Sequence, residues 1–327
     1  MQGSRIFTRR AVTLLIPENP DKPAKLQKLG ELINRENNRQ VLHRLLNEYN
    51  FSGVAELLEN ETDAVSRSLL ALSRMVQYRL YFDFSSALNY LGQIDPQLLH
   101  LPQSFASEFV SIENLLNIIG DNLRAIIKTA EPVHCGIIDT EKSSAWLELQ
   151  ILLNTEVLLN ARIKWLSKQY IDFLGRVFRL QEGVLRWVFE KVTGFSADGE
   201  HFPDDFVAYI QQDTSFSDYL SKNRINGKTP VAHRLNRGTL LLFLRYLESS
   251  GKDYQNVLKH CDKLDHLAAL RNKCALAHGN AAVNSEIIRK KYGPDVWKNL
   301  SALSKAFGLD DLLPQIECVK KIILENF

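Results

Sequence analysis

Within Leu270–Gly279 an Arg-Asn pair, Arg271 and Asn272, is followed by His278, in a run otherwise made of Lys, Cys, Ala and Leu. Arg271 and His278 are seven positions apart, close to two helical turns, so on a helix the two share one face about 10 Å apart along the axis. Arginine carries a permanent charge on a planar fork of donors that matches phosphate oxygens, and histidine is the side chain most able to trade protons near neutral pH. Together they suit work on a phosphodiester. The same pair also occurs in helices with no catalytic role, so the elements that hold it decide its meaning.

The 327 residues, 45% hydrophobic and 24% charged, have an ordinary globular composition with length for two or three domains. A net charge of +2 excludes a globally basic nucleic-acid binder; any such site is a local patch. No apolar run approaches the length of a membrane span, so a soluble, cytoplasmic protein without membrane partners is expected. Arg9-Arg10 and the apolar Ala11–Ile16 are too short for a signal peptide and run into Pro17-Glu18-Asn19-Pro20, which predicts one short strand and a loop. Cys135, Cys261, Cys274 and Cys318 are too scattered for a disulfide scaffold and are expected to be reduced. His260, Cys261, Cys274 and His278 resemble a metal set, but adjacent His260 and Cys261 point in different directions from a helix, so no metal and no cofactor is expected. His134-Cys135 is read as structural, because sequence neighbours rarely face each other.

After the strand nearly everything reads as helix. From Lys22 to about Leu58 apolar residues recur at three- and four-residue spacing, the stripe of an amphipathic helix. Phe51–Leu58 lines up with Phe84–Leu91, which predicts two similar antiparallel hairpins rather than a solenoid. Pro132 and Gly136 interrupt the pattern and mark a domain boundary between about 130 and 140. From Ser144 to Val192 the run holds more large apolar side chains than one face needs, predicting the core of a second unit, part of a subunit interface, and a break near Gly175. Gly194 to about Gly238 reads as a long connection, acidic first, then basic through Lys222, Arg224, Lys228, Arg234 and Arg237. These five cations either track a phosphate backbone or form a solvated surface. The last third predicts helices over Thr239–Ser249, Asp253–His260, Leu264–Gly279, Asn284–Tyr292, Asp295–Phe307 and Asp310–Phe327. Gly279 is the expected C-cap, which puts His278 on a final turn where the helix dipole favours its protonated form.

The Arg-Asn pair with its His, ending Ala277-His278-Gly279, resembles the signature of the HEPN ribonuclease superfamily, which allows four to six residues between Arg and His; here there are six. The run Asn160-Ala161-Arg162 through Gln169–Glu182 is similar to the first long helical pair of the HEPN domain in the Csm-class accessory ribonucleases of type III CRISPR systems. The resemblance covers Ser144 to Phe327 well, and Leu26 to Ala130 more weakly as the helical linker of those proteins. It implies an all-α chain: residues 1–25 a strand and loop, a possible remnant of a sensor domain; 26–130 a helical linker bundle; 140–327 the HEPN domain.

The resemblance further implies a homodimer with one composite, metal-independent site that cleaves single-stranded RNA by attack of the 2′-hydroxyl, in CRISPR-linked antiviral defence. Two arginines and two histidines then divide the acid and base work that one pair does poorly. Arg271 and His278 take the catalytic roles, Asn272 orients them, and Lys222, Arg224, Lys228, Arg234, Arg237 and Lys273 are the candidate RNA-binding cations. The family's N-terminal sensor for cyclic oligoadenylate needs far more than about 25 residues. The chain is therefore expected to be a truncated or naturally sensor-less form that does not bind cyclic oligoadenylate. The rival readings are an inactive helical module that binds RNA or protein, and a HEPN-type toxin.

Overall fold

Two apolar cores, joined by one helix that belongs to both, organise the chain. The computed structural model describes residues 36–134, 140–197, 201–212, 214–223, 235–251, 253–274 and 282–327. Among them are helices and no strand, so the chain is all-α. The expected strand at Ala11–Ile16 lies outside the described residues. No described helix is long and apolar enough to cross a membrane.

The first core gathers α1 (36–47), α2 (Phe51–Leu58), α3 (Ala64–Leu80), α4 (Phe84–Leu91) and α5 (Ile112–His134). Leu42, Leu58, Leu72, Met75, Leu115 and Ile119 are fully shielded from water there. The aligned segments at Phe51 and Phe84 become α2 and α4. Each begins on a side-chain cap: Asn50 accepts the Gly53 amide and Asp83 the Ser86 amide, both at 3.0 Å. The stripe expected to run from Lys22 to Leu58 breaks between α1 and α2, where Tyr49 adopts φ 54° and lets the Asn50 amide reach back to the Leu45 carbonyl at 2.9 Å. α5 runs through Pro132 to His134, so the expected interruption at Pro132 does not end the helix, although this proline cannot donate to the Lys128 carbonyl.

The second core is built from α6 (Thr140–Leu166), α7 (Tyr170–Thr193), α8 (Asp204–Gln212), α9 (Thr214–Lys222), α10 (Arg237–Ser249), α11 (Gln255–Lys273), α12 (Ser285–Tyr292) and α13 (Val296–Ala306). Phe173, Leu180, Phe189, Leu240, Leu264 and Leu300 lie at its centre. The sequence predicted a plain connection from 194 to 238; α8 and α9 occupy part of it instead. Asp204 and Asp205 favour a helix start, and Phe206 anchors the segment with its ring centroid 4.8 Å from that of Phe189. The predicted break at Gly175 is also misplaced. The chain turns at Ser167–Gln169, where Lys168 takes φ 61°, and α7 runs unbroken through Gly175 and Gly183. A Cβ at Gly183 would stand 2.1 Å from Asn154 Oδ1, so this glycine allows α6 and α7 to approach closely rather than ending a helix.

α6 has apolar residues all round because it is buried on two sides: Leu158 and Ala161 face the second core, Leu159 and Ile163 the first. The cores do not follow chain order either. α14 (Leu313–Asn326) returns to the first core, burying Ile316, Val319, Ile322 and Ile323 beside α3 and α6. A buried polar knot ties these three helices. Arg79, 1% exposed, gives Nε–H to both Glu156 oxygens at 3.1 and 3.0 Å, Nη2 to Oε1 at 2.7 Å, and Nη1 to Gln315 Oε1 at 2.9 Å.

Candidate active site

The apolar stripe of α11, Val257, Cys261, Leu264, Leu267 and Leu270, is buried against α7, α12 and α13. Gln181 of α7 donates to the Cys261 carbonyl at 3.2 Å and fixes the two helices in register. Because Leu270 points inward, Arg271 falls at the edge of the stripe, half-buried and directed over α7. Its guanidinium carbon lies 4.6 Å from the centre of the Phe178 ring. A second guanidinium, that of Arg237, lies 5.5 Å from the same ring. Arg237 is the first residue of α10, placed by a capping box in which Asn236 accepts the Thr239 amide and the Thr239 hydroxyl accepts the Asn236 amide. Two cations from different helices thus pack against one aromatic ring, an attraction that orients each fork.

Arg271 Nη1 donates to Asn272 Oδ1 at 3.2 Å, and its Nε is buried without a hydrogen-bond partner. Among the described residues Arg271 forms no ion pair. The carboxylates nearby are otherwise engaged: Glu182 with Arg186 at 2.9 Å and Arg179 at 3.8 Å, Asp172 with Lys164 at 3.9 Å. A shallow cleft of about 450 Å³ opens over Arg271, lined along α7 by Asp172, Arg176, Phe178, Arg179 and Glu182. Burial lowers the Arg237 pKa, opposed by Cys261 and Glu182; an arginine so placed remains a cation at neutral pH. This surface can bind an anion.

The helix expected over Leu264–Gly279 is corrected at both ends. α11 starts at Gln255 and ends at Lys273, where Cys274 turns extended with φ −93° and ψ 174°. The Cys274 amide and thiol both donate to the Arg271 carbonyl, at 3.2 and 2.9 Å, and the side chain is fully buried. The rest of the expected helix, with His278 and the expected cap Gly279, lies outside the described residues.

Of the other candidates, Arg237, Arg271 and Asn272 come together. Lys222 ends α9, exposed and away from the lining of this cleft, and Lys273 is the last residue of α11. Arg224, Lys228 and Arg234 lie outside the described residues. Phe178, Arg176 and Arg179 were not among the predicted site residues. Their signal was present as cations at i and i+3 on one amphipathic helix, with an aromatic ring between them. Cys261 is fully buried and its thiol is pushed up to about 12 by desolvation; burial, aided by Lys263 and Lys259, lowers the His260 pKa. Among the described residues no three His, Cys, Asp or Glu side chains converge on one point.

A family model described as the Cas_Csm6 HEPN domain matches residues 142–318, more than half of the chain. The chain belongs to the Csm6 HEPN family. The match spans α6 to the first turns of α14, so both helices that present arginines to Phe178, and α7 beneath them, fall inside this Csm6-type HEPN domain. The family is one of CRISPR-associated HEPN ribonucleases. Comparison with curated proteins returned no match.

Proposed function

We propose that this Csm6-type HEPN chain is a metal-independent endoribonuclease acting on single-stranded RNA in CRISPR-linked antiviral defence. The single observation behind this reading is the Arg271 guanidinium, held against Phe178 with no ion pair among the described residues, inside the HEPN-matched segment and just before the stretch that contains His278. An arginine kept from carboxylates and oriented by an aromatic ring is prepared for a phosphoryl oxygen.

The reaction is internal transesterification. The 2′-oxygen forms a bond to phosphorus and the bond from phosphorus to the 5′-oxygen breaks, leaving a 2′,3′-cyclic phosphate and a 5′-hydroxyl. His278 of one or both subunits takes the 2′-hydroxyl proton and returns a proton to the leaving oxygen. Arg271 neutralises charge that develops on the phosphoryl oxygens. Asn272, which accepts from Arg271, holds the fork in place. The dimer supplies two such sets around one two-fold axis. Arg237 and Lys273 extend the cationic surface beside Arg271, and Lys222, Arg224, Lys228 and Arg234 guide the strand electrostatically. Residues 26–130 act as the linker and 140–327 as the ribonuclease domain, with α14 fastening one to the other.

The test is cleavage of a fluorogenic single-stranded RNA in EDTA by the wild-type chain and by His278→Ala, across concentrations spanning dimerisation. Cleavage by wild type alone is expected, with specific activity rising as dimer forms. Equal cleavage by both proteins assigns the activity elsewhere. No cleavage at any concentration leaves a binding module.

A further inference from the structure

A second cleft, about 700 Å³, opens on the same side of α7 as far as the corners that join α1 to α2 and α6 to α7. Its character is polar and cationic: Lys164, Lys168 and Arg176 line it, against the single carboxylate of Glu48. Tyr81 stands at its rim with 64% of its surface exposed, leaving the ring open to a stacking partner. At its floor lies Asn160, only 2% exposed. The Asn160 amide nitrogen donates to the Leu80 carbonyl at 2.7 Å, but its Oδ1 has no partner among the described residues. Buried polar atoms are rarely left unpaired, and an amide oxygen on a residue that lines a cleft calls for an N–H or O–H donor. Water meets that need alone; the exposed ring and three cations around it go further.

Arg176 connects this cleft to the active-site region. It is half-buried, with its guanidinium carbon 5.3 Å from the Phe82 ring centre, and it lines both this cleft and the one over Arg271. A strand whose phosphate is held near Arg271 thus meets, across one shared side chain, a pocket with a donor-seeking floor, an aromatic face and positive charge. These are the elements that hold single-stranded nucleic acid: cations track the backbone and aromatic rings stack the bases.

We propose that this cleft is a nucleotide subsite for the same single-stranded RNA, built where the linker helices meet the HEPN domain. One base donates an N–H to Asn160 Oδ1 and stacks on Tyr81, while its phosphate lies between Lys168 and Arg176. The subsite rests on the ribonuclease reading for the identity of its ligand. It gives the linker a direct part in substrate binding.

The test measures binding by the non-cleaving His278→Ala chain, using fluorescence anisotropy of a labelled single-stranded RNA long enough to reach both clefts. Tyr81→Ala and Lys168→Glu alter exposed side chains, and Lys305→Glu, on the exposed end of α13, controls for charge alone. Loss of one stacked base weakens binding by roughly ten-fold, so Tyr81→Ala together with Lys168→Glu is expected to lower affinity by at least that factor while Lys305→Glu leaves it unchanged. An affinity equal to that of the parent overturns the subsite. Adenosine 5′-monophosphate is titrated in parallel: if it binds in a Tyr81-dependent way while the long RNA shows no dependence, the cleft holds a free nucleotide and the strand proposal falls. A wild-type chain that cuts no RNA defeats the ribonuclease reading separately, because the subsite is read from binding alone.

Discussion

Arg79 and Arg271 are both partly or wholly removed from water, yet the two regions treat the same guanidinium in opposite ways. In the first core Arg79 is enclosed by Glu156 and Gln315 and its charge is neutralised within the protein. In the cleft on α7 Arg271 has an aromatic ring beneath it, Asn272 beside it, a buried Nε without a partner, and no ion pair among the described residues. A charge buried for stability must be paired, since desolvation costs more than the fold can supply unopposed. A charge kept for a ligand is left incomplete, and the ligand completes it. The contrast separates structural from functional cations inside a single chain.

The comparison breaks most visibly at Glu156. Glu156→Ala leaves Arg79 charged and unpaired in the core, and is expected to cost about 3–5 kcal/mol of stability, read as a fall in the urea or thermal midpoint. Replacing Arg79 and Glu156 together by Met and Leu should recover much of that loss; a double variant as unstable as the single one would show that the knot contributes through packing instead. At Arg271 the expectation is reversed. Arg271→Ala is expected to lower kcat for RNA cleavage by about 10²–10³-fold while moving stability by no more than about 0.5 kcal/mol. An Arg271→Ala chain that unfolds early would place this residue with Arg79.

The smallest effect sharpens the boundary of the first region. Asp63 caps α3, and the hydroxyl and then the amide of Ser66 hold its carboxyl below the usual range; Asp83 caps α4, where the Ser86 amide and then its hydroxyl do the same. A carboxyl depressed in the folded state contributes stability above its unfolded pKa, and that contribution is lost as pH falls through the lower folded value. Helicity of the first core is therefore expected to decline on acidification below about pH 4. Asp63→Ala is expected to cost about 1 kcal/mol at neutral pH and to flatten the acid slope measured by circular dichroism.

Helix class was legible because periodicity is local: apolar stripes mark α10, α12, α13 and α14 to within a few residues. The family was legible because Arg271, Asn272 and His278 keep their types and spacing in the chain itself. The helix starts at Ser285 and Val296 were legible for the same reason, since Asn284 and Asp295 cap them by bonding amides three residues on. What failed involved distant partners. Gly175 looked like a breaker, although α7 runs through it, and at Gly183 in the same helix the reason for glycine is Asn154 on another helix. Residues 204–222 looked like a connection until Phe206 met Phe189 and Phe243.

The sequence by itself determined an all-α chain, its two amphipathic halves, the repeated helix starts at Phe51 and Phe84, and the Arg-Asn pair with its histidine. These depend on neighbours within a turn or two, where side-chain type and spacing are sufficient. Only the tertiary structure decided that α6 is shared by two cores and that α14 returns to the first. It also decided that Cys274 turns extended at the end of α11, and that Phe178 packs against two arginines from different helices. Such outcomes follow from which surfaces are buried against which, and burial is settled by residues far apart in the chain.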